Sequence, residues 1–123
     1  MSLKIALERI RKAKEENAIE LDLSELGLSK IPKKLSELRQ LTDLDLSRNQ
    51  LTEIKGLTQL TQLEGLRLRN NKIIEIKGLE ELTRLRHLVL PGNHLKEIKG
   101  VDHLTRLTYL DLSANQIPEI KGL

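Results

Sequence analysis

Three histidines, His87, His94 and His103, are the imidazole metal-ligand side chains of the chain, which has no cysteine. A zinc site needs three or four such ligands converging on one point. These three fall at different positions of the repeat set out below, so they are not expected to meet. Four carboxylates, Glu20, Asp22, Asp43 and Asp45, form the densest acidic group. A hard cation such as calcium would want several oxygens there, but the loop carbonyls such sites use are missing from the pattern. The group reads as a solvated acidic patch that attracts a basic peptide. A glycosidase or nuclease needs paired acids in a cleft, whereas these lie on an open surface. Ser24, Ser47 and Ser113 have no histidine–acid pair around them, and the glycines follow the repeat rather than a phosphate loop. The reading is therefore of a non-enzyme, with no catalytic, cofactor-binding or metal-ligating residue. What remains are flat, rigid recognition groups, namely Arg67, Arg69, His87 and the only aromatic besides histidine, Tyr109.

The element that positions them is the stretch LTDLDLSRNQLTEIKGLTQLTQ, residues 41–62, whose skeleton restarts at Leu63, Leu85 and Leu107 with a period of 22. A fixed period in this range marks a solenoid. The first repeat starts near Ala18, is one residue longer within Ile31-Pro32-Lys33-Lys34-Leu35, and carries Leu26 where the others carry Asn49, Asn71, Asn93 and Asn115. In each repeat LxxLxL alternates apolar and other residues, which predicts strands near 20–23, 43–47, 65–69, 87–91 and 109–113. Stacked in parallel, they make a curved sheet in an α/β, right-handed solenoid. The asparagines should stack and satisfy the turn after each strand. Gly56, Gly78, Gly100 and Gly122 mark tight bends on the return side, which closes with short helical turns such as LTQLTQ and LEELTR. Residues 1–17 precede the repeats (18–123) as a capping helix. Leu3, Leu7 and Ile10, with Ala6 and Ala13, form its apolar stripe; Ser2 is its cap and Asn17 its left-handed end.

The 123 residues suffice for one domain. Aromatics at 1% suit stacked aliphatic layers better than a conventional globule. The net charge of +3 is too small to indicate nucleic acid. Neither a signal peptide nor a membrane span is recognisable. The basic character of the terminal helix fits a cap better than a membrane anchor. With no cysteine, the chain is expected in a reducing, cytoplasmic setting.

Alternation fixes which side chains leave the sheet on its concave face. One column is Glu20, Asp43, Gly65, His87, Tyr109; the next is Asp22, Asp45, Arg67, Val89, Asp111; the third is Ser24, Ser47, Arg69, Pro91, Ser113. The face is thus acidic beside the helix, basic in the middle (with Arg48 and Arg86 flanking) and mixed apolar and aromatic beyond. The expected partner-binding centre is Arg67, Arg69, His87, Val89 and Tyr109, with Asp111, Asp43 and Asp45 around it. A competing expectation pairs Asp45 with Arg67 across neighbouring strands. Gly65 is expected to leave a dent in the face. One aromatic is too few for stacking on nucleic acid.

The pattern LxxLxxLxLxxNxLxxIxxL, over about 18–123, resembles the internalin-like class of leucine-rich repeats, also seen in phosphatase-regulating repeat proteins. The helix running into AIELDLSELGLSKIP is similar to the start of repeat domains in bacterial proteins that carry a Ras-like GTPase domain further on. The resemblance implies a protein-binding module that uses its concave sheet face. Two other readings stand beside it: a regulatory or structural segment docking on a neighbouring domain of a larger protein, and an engineered or truncated repeat scaffold. The last repeat stops short of a full period, so Leu107, Leu110, Leu112, Ile117 and Ile120 are expected to face solvent. A following repeat, or a second copy in a tail-to-tail homodimer, would cover them.

Overall fold

The computed structural model describes residues 2–118. Helix α1 (Ser2–Glu16) leads into five strands, β1 (Glu20–Asp22), β2 (Asp43–Asp45), β3 (Gly65–Arg67), β4 (His87–Val89) and β5 (Tyr109–Asp111). All pair in parallel in the order β1-β2-β3-β4-β5. This is the expected solenoid. The strands are shorter than the alternation predicts, because the backbone turns soon after LxL. Glu25, Arg48, Asn70, Gly92 and Ala114, at equivalent positions, all have φ between 52° and 70°. Backbone bonds between repeats nevertheless continue past the strands, as in Leu46 N–H to Arg67 O at 2.8 Å and Arg48 N–H to Arg69 O at 2.7 Å.

The core is a stack of aliphatic layers. In the second repeat Leu41, Leu44, Leu46, Leu51 and Leu60 are fully buried, and the third and fourth repeats bury the same positions. On the return side, pairs of three-residue backbone bonds recur: Leu38 N–H to Leu35 O and Leu41 N–H to Leu38 O, then Leu60 to Leu57 and Leu63 to Leu60, and so on. Only the first return is long enough to form a short 3-10 helix, Lys33–Glu37, which follows Pro32. The others, expected as helical turns, are isolated turns. At Gly100 φ is 84°, and a Cβ there would collide with the carbonyl oxygen of Ile76. Gly122, expected at the same bend, lies outside the described residues.

The asparagine column does more than finish its own turn. Asn71 Oδ1 accepts the Leu51 N–H of the preceding repeat at 3.0 Å. Its amide donates to Leu46 O, also of the preceding repeat, at 3.0 Å, and to its own Leu68 O at 3.1 Å. Asn93 and Asn115 repeat this set one and two layers on. Asn49 accepts from both Leu26 and Leu28 N–H. No buried side-chain polar atom lacks a partner among the described residues.

Helix α1 closes the first layer with Ala6, Ile10 and Ala13. The expected stripe also held Leu3 and Leu7, but these are 54% and 41% exposed. Small residues let the helix lie close to the first repeat, and the two leucines fall beyond the edge of the contact. Ser2 is the first helical residue rather than the cap before it. Asn17 does end the helix, at φ 49°, with Ala18 N–H bonded to Ala13 O at 2.9 Å and Asn17 N–H to Lys14 O at 3.4 Å. These are the two bonds of a left-handed helix end. In the last described layer Leu110 is 39% exposed, whereas Leu44, Leu66 and Leu88 at the same position are fully buried. Leu107, Leu112 and Ile117 are half-buried, and Ile120 lies outside the described residues.

Candidate functional site

The register aligns the columns as the alternation requires: Glu20, Asp43, Gly65, His87 and Tyr109 are successive partners, as are Asp22, Asp45, Arg67, Val89 and Asp111. Arg67, Arg69, His87 and Tyr109 are exposed on this face; Asp43, Asp45, Val89 and Asp111 are half-buried. A depression of about 340 Å³ is lined by Asp45, Ser47, Arg67, Arg69, Val89 and Tyr109. A second, of about 490 Å³, lies beside it over Glu20, Asp22, Asp43, Asp45 and Arg67. The ring centroids of His87 and Tyr109 are 6.4 Å apart with the planes tilted by 48°, a favourable aromatic arrangement.

An aspartate and the serine two residues on form a lock in three repeats. Asp22 Oδ1 accepts the Ser24 N–H at 2.8 Å and hydroxyl at 2.6 Å. Asp111 and Ser113 do the same at 3.0 and 2.6 Å. These bonds, the serine hydroxyl's first, hold the Asp22 and Asp111 carboxyls below the usual carboxylate range. Asp45 accepts the Ser47 N–H at 2.9 Å. Repeats three and four break the pattern. They place Arg67-Leu68-Arg69 and Val89-Leu90-Pro91 at the same positions.

This break decides the state of the arginines. Asp45 is occupied locally, and no Asp45–Arg67 ion pair forms within 4 Å. Among the described residues Arg67 and Arg69 have no ion-pair partner at all, whereas Arg48 bonds Glu25 at 2.8 Å and Arg86 sits 3.9 Å from Glu64. The basic band therefore divides into two tethered guanidiniums at the margin and two without an ion pair in the middle, of which Arg69 is near enough to help lower the Asp111 carboxyl. The backbone just past β3 is also held by the preceding repeat. Ser47, buried on this face, accepts the Arg69 N–H on its hydroxyl at 3.1 Å. That role went unrecognised in the sequence, although the recurring Asp-x-Ser is its signal. Gly65 leaves no dent, because the Asp43 carboxylate lies over it where a Cβ would stand.

The histidines lie apart. His87 is on the sheet face and His94 in the turn after β4. His103, on the return side, has Nε2 2.9 Å from Leu79 O. No group of three or more His, Asp or Glu side chains is arranged to hold a metal among the described residues. No helix there is long and apolar enough to cross a membrane.

The family model for the leucine-rich repeat matches residues 2–121. Among solved structures, an internalin C2 from Listeria monocytogenes is similar at 30% identity and a TM-score of 0.76, over 83% of this chain and 45% of that one. An internalin, inlF, from the same organism gives 35% identity and 0.68, over 75% and 28%. A chain of the Drosophila melanogaster SNF/U2A' complex gives 35% and 0.69, over 80% and 59%. The chain thus spans less than half the length of the two internalins it matches. No curated protein matches it significantly.

Proposed function

From a chain that belongs to the leucine-rich repeat family, we propose a non-catalytic module that binds a protein partner on the concave sheet face. The observation that carries this reading is the pair of exposed guanidiniums, Arg67 and Arg69, which lack an ion-pair partner among the described residues and stand beside the Tyr109–His87 pair. Arginine and tyrosine supply rigid, flat contact groups and are enriched where truncation costs most binding energy. The β-sheet holds them in place before the partner arrives, so binding spends little conformational entropy. A similar chain occurs within a two-protein complex, which supports a protein as the partner. The reading places the module in a reducing compartment such as the cytoplasm, in keeping with a chain free of cysteine.

The test is capture of binding proteins on immobilised wild type beside a variant carrying Arg67→Glu, Arg69→Glu and Tyr109→Ala. The expected result is a protein retained by wild type and lost from the folded variant. Equal retention by both would remove the concave face as the site.

A further inference from the structure

Resting on the concave-face reading, we infer that the partner presents an extended segment with a basic, an acidic and an apolar side chain at alternate positions. The basic side chain lies nearest the cap helix. The argument is one of charge order and spacing. Glu20, Asp22, Asp43 and Asp45 occupy β1 and β2; Arg67 and Arg69 follow in and just past β3; His87, Val89 and Tyr109 occupy β4 and β5. Arg9 of α1 is set into the outer edge of the acidic zone, its guanidinium held by Asp22 O at 2.9 Å, and Arg67 borders the zone on the β3 side. Complementarity therefore calls for positive, negative and apolar groups in that order.

The spacing selects the conformation that can supply them. Strands stand about 4.8 Å apart. From the midline of β1 and β2 to β3 is one and a half spacings, about 7.2 Å, and from β3 to the midline of β4 and β5 is the same. In an extended chain, side chains on one face recur about every 6.7 Å. A curved sheet brings its concave side chains closer together than its backbone, which narrows the difference. A helix fits less well, since its same-face series i, i+4, i+7 spans only about 10.5 Å, against about 14.4 Å across the three zones and about 13.4 Å for the extended segment. The segment crosses the strands, so its contacts are made through side chains. Arg67, at the end of β3, and Arg69, two residues on, both leave the same face and can share the two oxygens of a single carboxylate.

The probe is a pair of fluorescein-labelled nine-residue peptides of equal composition, read by anisotropy. One carries lysine, glutamate and leucine at alternate positions with threonine between; the other exchanges the lysine and the glutamate. Each is also made in reversed chain order, because the direction of travel is left open by the charge order. The ordered peptide, in one direction or the other, is expected to bind at least about tenfold more tightly than its permuted partner. Arg67→Glu with Arg69→Glu should reverse or abolish that preference, Arg67→Gln with Arg69→Gln should weaken it, and Glu20→Lys should weaken the ordered peptide alone. Equal binding of ordered and permuted peptides, lost in the double glutamate variant, overturns the order while the concave face stands. Equal binding by wild type and that variant overturns both. Failure of every peptide to bind at millimolar concentration overturns the extended-segment inference, and the capture comparison then judges the face alone.

Discussion

Replacing Asn71 with alanine should be among the most damaging single changes in the chain, and the bonds say by how much. Its side chain, 5% exposed, supplies the acceptor for Leu51 N–H and donors for Leu46 O and Leu68 O. An orphaned buried N–H costs about 1–3 kcal/mol, and each lost amide-to-carbonyl bond about 0.5–1.5 kcal/mol, the carbonyls keeping a second lone pair for other partners. The expected loss is about 3–4 kcal/mol, a large share of the about 5–15 kcal/mol that holds a typical domain together. Asn115 makes the same set of bonds but is only half-buried. Water can replace part of what Asn115→Ala removes, so that loss should be about half as large. The assay is urea unfolding followed by circular dichroism, with both variants and wild type fitted to a common slope. A loss below about 1 kcal/mol at Asn71, or equal losses at the two sites, would refute the claim that the column supports the stack through buried inter-repeat bonds.

Arg67→Glu with Arg69→Glu should change stability by no more than about 0.5 kcal/mol in a thermal melt, since both side chains are exposed and unpaired among the described residues; a large loss would mean that they face inward. Gly100→Ala should cost at least about 2 kcal/mol by denaturant titration, because it adds a side chain at φ 84° against the Ile76 carbonyl. Ser113→Ala should raise the Asp111 carboxyl towards its ordinary value, read by NMR titration. The Asp111 carboxyl is depressed in the folded state, so its contribution to stability is present above the unfolded value and fades as pH falls through the folded one. The serine variant should shift that loss to higher pH, and an unmoved titration would remove Ser113 as the cause.

The sheet face was legible because two periods are rigid. A repeat of 22 sets which residues are neighbours across strands, and the strand period of two sets which way they point. Together they place Glu20, Asp43, Gly65, His87 and Tyr109 in one row, which is the row the strand register forms. The facing of α1 was not legible to the same degree. Its apolar residues cover a wide arc, and whether Leu3 and Leu7 or Ala6 and Ala13 meet the core depends on how closely the helix docks. The Asp45–Arg67 expectation failed for a related reason. A bond from Asp45 to the backbone two residues on is local and needs no long side chain to be ordered, so it wins over a cross-strand ion pair. Gly65 looked like an opening because a missing side chain says nothing of the neighbour that leans into its place. Whether the columns bind a partner is a question of affinity, which no periodicity encodes.

The asparagine column also has a direction in time. Each of these side chains completes the backbone of the repeat before it: Asn49 serves Leu26 and Leu28, Asn71 serves Leu51, Asn93 serves Ile73 and Asn115 serves Leu95. A chain leaving the ribosome therefore exposes a repeat whose amides lack their acceptor until the next repeat has emerged. At a synthesis rate of about 5–20 residues per second, that wait is about 1–4 s per repeat. The solenoid grows by closing each layer behind the one being made, with α1 made ahead of the first layer and packed against it.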